Sequence, residues 1–212
     1  MESIDVDIVC AQESVYYVRE IIESRCNWIL TDRQLGDDSW AKFAKKLHGY
    51  EDEYIYLDLL TSNFSNVFHE DRNKNLPYTL CFENDMYEFR LIDNRNYKIP
   101  IKELLILLKL KAYRDRSYNL LRAKDQKQKM YFESKRIKDI SDTLALVDPG
   151  YGPIDTSIIG QIIKKYELYF ITESIENIKK ETEAINRYRN MSLQDVEPWI
   201  DRILSDLSYY FE

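Results

Sequence analysis

The run Ile4-Asp5-Val6-Asp7-Ile8 constrains this chain more than any other stretch. Successive side chains of a strand alternate between its two faces, so acids at positions 5 and 7 share a face. Aspartate is a poor strand former. A pair inside a β-favouring run is therefore either a solvated strand face or two carboxylates converging on one cation. A second run, Tyr54-Ile55-Tyr56-Leu57-Asp58-Leu59-Leu60, again sets one Asp inside an apolar strand. Three strand-borne acids meet the needs of a divalent-metal, phosphoryl-transfer site. Mg²⁺ takes hard oxygen ligands and leaves room for substrate phosphates.

The pattern along the chain predicts an α+β protein. A strand from Ile4 to Cys10 leads into a helix from about Glu13 to Arg25, with Val15, Val18, Ile21 and Ile22 on one face. Asp37-Asp38-Ser39 reads as an N-cap cluster for a short helix from Trp40 to Leu47, with Gly49 at C′. Tyr54 to Leu60 is the next strand. Tyr78 to Phe82, Tyr87 to Ile92 and Asn96 to Ile99 read as short strands joined by polar turns. Pro100 closes them, and an apolar helix runs from Ile101 to about Arg116. A charged stretch, Ser117 to Glu133, precedes a helix from Ser134 to Val147 with Ile137, Ile140, Leu144 and Val147 as its core stripe.

The run from Asp148 to Pro153 is the clearest break, and everything after it reads as helix. Ile171, Ile175, Ile178 and Ile185 trace one seam. A last helix starts after Asp195, has Pro198 in its first turn, and carries Trp199, Ile203 and Leu207. The expected organisation is a small mixed-sheet core over residues 1–100 and a C-terminal helical bundle over 101–212, with a boundary inside it near 148–153. Seventeen tyrosines against five glycines and five prolines imply long elements with compact connections.

A net charge of −7 argues against broad, nonspecific nucleic-acid binding, which relies on basic surfaces. The local exception runs from Lys109 to Lys138 and reads as a basic patch or as a solvated helical connection. The longest apolar run, Ile99 to Leu108, contains Lys102 and Glu103 and is too short to span a membrane, so no membrane partner is expected. Acids at positions 2, 5 and 7 stand where a signal peptide would be basic, so a cytoplasmic protein is expected. Cys10, Cys26 and Cys81 read as buried thiols rather than a disulfide framework or a zinc site. His48 and His69 offer little material for histidine chemistry, and His48 reads as a surface residue.

The strand from Ile4 to Ile8, followed by that from Ile55 to Leu60, resembles the polymerase-β-like nucleotidyltransferase superfamily. There an h-D-h-D-h strand and a third acid on a neighbouring strand hold the metals. Pro100 to Arg116 and Ser134 to Leu146 resemble its AbiEii/AbiGii toxin branch, so the likeness covers roughly the first 150 residues. The resemblance implies Asp5, Asp7 and Asp58 as metal ligands for Mg²⁺, with Asp58 binding the second ion or accepting the incoming hydroxyl's proton. Lys109, Ala112 and Arg116 match the branch's Lys-x-x-Ala-x-x-x-Arg arrangement, which lines its nucleotide pocket. Lys138-Asp139-Ile140-Ser141-Asp142 resembles its second helical signature and implies a catalytic part for Asp139. The nucleoside triphosphate is then the substrate, an RNA end or a protein hydroxyl the acceptor, and an antitoxin the partner.

On residues alone, Lys109 lies beside Leu105, Ile106 and Ala112, so it must either reach solvent or meet an anion. Asp139 and Asp142 could equally form ion pairs with Lys135 and Lys138 along their own helix. The family also places a Gly-Ser turn upstream of its first acids, whereas only four residues precede Asp5. Two functions stay open on that ground. One is a metal-dependent nucleotidyltransferase, expected to be weakly active without the turn. The other is a non-catalytic protein of the same fold that acts by binding.

Overall fold

The computed structural model describes residues 5–34, 38–47 and 53–211. The features expected at Ile4, Asp37, His48 and Gly49 lie outside the described residues, as does the side chain of Asp5. The protein is α+β, as expected: a small mixed sheet and a larger set of helices. It divides into two compact units. One is Met1–Asn66 with Pro77–Glu83; the other is Val67–Leu76 with Asn84–Glu212.

The first unit holds a four-stranded sheet of β1 (Asp5–Cys10), β2 (Ile29–Arg33), β3 (Trp40–Lys46) and β4 (Tyr54–Thr61). The order is β1-β4-β3-β2, with β1 parallel to β4 and the other neighbours antiparallel. Cys10, Ala41, Phe43, Leu57 and Leu59 form a buried cluster with Val15 and Ile22 from the helical segment after β1. That segment fills the expected span from Glu13 to Arg25 in three hydrogen-bonding patterns: a 3₁₀ turn, α1 (Val15–Glu20) and a π turn over Ile21–Arg25.

The expected helix over Trp40–Leu47 is instead the strand β3, which pairs with both neighbours. Asp38 has φ 50° and is not capping a helix; its carboxylate accepts from Tyr16 Oη at 3.0 Å and Arg19 Nη1 at 2.9 Å. Ala41 and Phe43 are buried while Lys42 between them is not, the two-residue period of a strand. An eight-residue helix would close few internal bonds, whereas β3 gains a ladder on each side. The expected strand over Tyr78–Phe82 is a 3₁₀ turn, with the adjacent residues Leu80 and Cys81 both buried. The segment closes on local bonds, with the Leu80 N–H donating to Pro77 O and the Glu83 N–H to Leu80 O, each at 3.2 Å. Cys10 and Cys81 are buried as expected, but Cys26 is exposed at the end of the π turn.

The second unit begins its regular structure with a hairpin, β5 (Tyr87–Ile92) and β6 (Arg95–Pro100). Asp93 and Asn94 turn it with φ 47° and 59°, the positive values that suit right-twisted strands. Then follow α2 (Lys102–Leu121), α3 (Gln126–Val147), α4 (Thr156–Lys165), α5 (Ile171–Asn177), α6 (Thr182–Arg187) and α7 (Leu193–Ser208). The flanking helices take up most of the charged stretch between them: α2 continues to Leu121, and α3 opens at Gln126. Asp125 caps α3 by accepting from the Gln128 N–H at 2.8 Å.

Leu104, Leu107 and Leu110 of α2 and Ile137, Ile140, Leu144 and Val147 of α3 are buried where these two helices pack. Ile171, Ile175, Ile178 and Ile185 are buried as their spacing requires. The last helix starts earlier than expected, because Ser192 and Asp195 form a capping box; Pro198 therefore lies inside it. Among the described residues no helix is long and apolar enough to cross a membrane.

Candidate functional site

Two groups of charged residues stand out, one in each unit. In the sheet, the parallel register of β1 and β4 sets Asp7 opposite Asp58 and Asp5 opposite Tyr56. In-register residues on neighbouring strands share a face at a strand spacing of about 4.8 Å. Asp7 and Asp58 are therefore adjacent, on the face away from the buried cluster. The row continues along the sheet, with Lys42 of β3 opposite Asp58 and Asp32 of β2 opposite Lys42.

Two like charges side by side in a sheet repel, so the second acid needs an offset. Lys42 supplies it, with Nζ 3.9 Å from Asp58 Oδ2, and Trp40 Nε1 donates to Asp58 Oδ1 at 3.1 Å. Lys42 also sits 4.9 Å from the centre of the Tyr56 ring. Mg²⁺ is commonly held by one or two carboxylates while keeping several waters, so the Asp7 and Asp58 oxygens fit as a donor set. Among the described residues no group of three or more His, Cys, Asp or Glu is arranged to hold a metal ion. The third acid of the expected set, Asp5, has its side chain outside that description.

The other residues singled out in the sequence meet between α2 and α3. Lys109 Nζ donates to Asp142 Oδ2 at 2.6 Å, so this lysine meets an anion while staying partly exposed. Arg116 Nε approaches Asp139 Oδ2 at 3.4 Å, but without hydrogen-bond alignment; both atoms are buried and lack a hydrogen-bond partner. Asp139 is only 6% exposed. Burial pushes its carboxyl up to about pKa 6, although Arg116 and then Lys109 pull it back and Asp142 adds to the rise. Seven residues along α2 and three along α3 each return to one face, which is why two short motifs distant in sequence assemble into a four-residue cluster.

Sequence reasoning missed Trp40 and Lys42, because it read their segment as a helix. Their alternation with Ala41 and Phe43 was the available signal. It also missed two clamps in the second unit. The Arg114 guanidinium pairs with Glu70, with Nη2 to Oε2 at 2.9 Å, and its Nη1 reaches Phe170 O at 2.9 Å and Ser174 Oγ at 3.0 Å. The buried Lys111 Nζ donates to Asp115 Oδ2 at 2.5 Å, while Asp115 Oδ1 accepts from the His69 N–H at 2.9 Å. Both tie the 67–76 segment to α2. The i,i+4 spacing of Lys111 and Asp115 was visible in the sequence, but their burial was not.

No protein-family model matches this chain, and no curated protein matches it.

Proposed function

We propose that this chain is a nucleotidyltransferase-like protein that moves a nucleotide from a nucleoside triphosphate to an RNA end or a protein hydroxyl, with diphosphate leaving. It would act with Mg²⁺, in the cytoplasm, as the toxin half of a pair whose other half is an antitoxin. The observation that carries the reading is the register that sets Asp7 beside Asp58 on one sheet face. Asp7 and Asp58, with Asp5 as the third acid of the resemblance, would hold the ion. When bound, that ion supplies charge neutralisation on the phosphates, the main demand of this chemistry.

Trp40 fixes one oxygen of Asp58 and Lys42 flanks the other, so the carboxylate is oriented without a bond from its second oxygen to Lys42. Lys109 and Arg116 are assigned to phosphate binding; a phosphate there competes with Asp142 and Asp139 for them. Asp139, with its pKa near 6, can hold or release a proton close to neutral pH, which suits a proton-transfer role.

The second reading, a non-catalytic protein of this fold, is favoured by one observation. Asp58 already has a hydrogen-bond donor and a neighbouring cation, as a structural acid would. The test is transfer of label from α-labelled nucleoside triphosphates to RNA and to protein, with and without Mg²⁺. Catalysis requires label transfer that chelation stops and that Asp7→Asn and Asp58→Asn each abolish with unchanged thermal unfolding. Absence of transfer with every nucleotide, alongside unchanged partner binding in both variants, would establish the second reading.

A further inference from the structure

The hairpin of β5 and β6 is a two-stranded sheet of its own, so each strand has an outer edge. Among the described residues, no strand pairs with the outer edge of β5. The Ile101 N–H donates to the Met86 carbonyl at 3.1 Å, so these two residues form a hydrogen-bonded pair. In an antiparallel ladder such pairs alternate with non-bonded ones. Counted along the register, Glu88, Arg90 and Ile92 turn their backbone groups toward β6, while Tyr87, Phe89 and Leu91 turn theirs outward.

The same three residues place their side chains on one face. Phe89 is 67% and Leu91 70% exposed, and the Tyr87 and Phe89 rings meet edge to face at 5.7 Å. The outer edge of β6 is blunted by Pro100, which has no N–H, a device that keeps edges from pairing, while Lys98 holds its Nζ 3.4 Å over the centre of the Tyr87 ring. β5 has no proline. Its charges are instead arranged symmetrically about Phe89. Glu88 precedes it and Arg90 follows it, both on the other face, where Arg90 Nε donates to Glu88 Oε1 at 2.7 Å.

We propose that β5 pairs antiparallel with β5 of a second copy of this chain, about a two-fold axis at Phe89. Phe89 then opposes Phe89, Tyr87 opposes Leu91, and Glu88 opposes Arg90 of the other copy. Every outward N–H and C=O of Tyr87, Phe89 and Leu91 gains a partner. The apolar side chains form one continuous ladder on one face. On the other, Glu88 and Arg90 exchange ion pairs at the non-bonded positions, where facing side chains come closest. The contact is self-complementary and closes at two copies. It also turns a marginal two-stranded ribbon into a four-stranded sheet.

A strand pair of this length buries less than the roughly 1,200–2,000 Å² of a standard interface, so the dimer should form in the micromolar range. Sedimentation velocity of the full chain over roughly 1–500 µM covers that range. The expected result is a shift from monomer to dimer with concentration. Glu88→Arg alone and Arg90→Glu alone each set like charges across the axis and should weaken the dimer at least about tenfold, the size of a few stacked charge contacts. The double variant E88R/R90E restores opposite charges and should restore the dimer. Phe89→Pro leaves the bonds to β6 untouched and should give monomer. A chain that stays monomeric throughout, including one whose β5 takes up a strand of a different protein, overturns the proposal. So does a dimer indifferent to the single charge reversals, or a double variant no better than either single one.

Discussion

Asp139→Asn should stabilise the protein at neutral pH while changing little in acid. The carboxyl is buried between α2 and α3, and burial lifts its pKa from an ordinary 3.8 to about 6. An acid whose folded pKa exceeds its unfolded one binds protons more tightly when folded. Between about pH 4 and pH 6 the folded state therefore carries the extra proton, and stability falls as pH rises through this window. A difference of about 2 pKa units at about 1.4 kcal/mol each amounts to about 3 kcal/mol. That cost is absent below about pH 4 and complete above about pH 7.

Asparagine matches the protonated acid in shape and cannot ionise. In acid both proteins leave Arg116 facing a neutral group, so their stabilities should be close. At pH 7 the variant should lead by up to about 3 kcal/mol. Urea unfolding of both proteins at pH 4, 5, 6 and 7 measures the difference directly. A difference that is flat across this range, or that turns against the variant as pH rises, would refute the argument. A third protein sharpens it: Arg116→Ala removes the largest influence holding the Asp139 pKa down, so that pKa should climb further when followed by NMR.

Gly160→Ala should cost about 1–2 kcal/mol, because a Cβ there would lie 2.6 Å from Tyr210 Cγ and the overpacking outweighs the gain in helix propensity. Thermal unfolding reads it, and a more stable variant would show that the Tyr210 ring yields freely. Ser192→Ala removes a hydroxyl that shares Asp195 Oδ2 with the Ser192 N–H, at 2.7 Å and 2.8 Å. It should cost about 1 kcal/mol, with earlier amide exchange confined to the first turn of α7. Unchanged exchange there would mean that packing alone holds the helix start.

The elements legible in the sequence are those whose evidence is local. β4, α2 and the seam through Ile171, Ile175 and Ile178 stand where the sequence puts them, with α2 running on to Leu121, because an apolar run of strand or helix length and a three-and-four-residue repeat are both read from local residues. β3 was not legible. Trp40 to Lys46 is short enough for either period, and what makes it a strand is a neighbour on each side, which no local window contains. The early start of α7 is a different case: its Ser192-x-x-Asp195 capping box is a local signal that sequence reasoning missed, and the π turn after α1 likewise closes on a local bond from the Cys26 N–H to Ile21 O.

The acids divide in the same way. The sequence by itself determined that Asp5, Asp7 and Asp58 lie in strands and that Lys109, Arg116, Asp139 and Asp142 lie in helices, because each belongs to a strongly patterned run. Only the tertiary structure decided that Asp7 stands in register with Asp58, that Lys42 and Trp40 attend Asp58, and that Arg116 faces a nearly buried Asp139. Register and burial are relations between segments. They depend on how two surfaces fill space together, and the pKa of a carboxyl follows that packing rather than its neighbours in the chain.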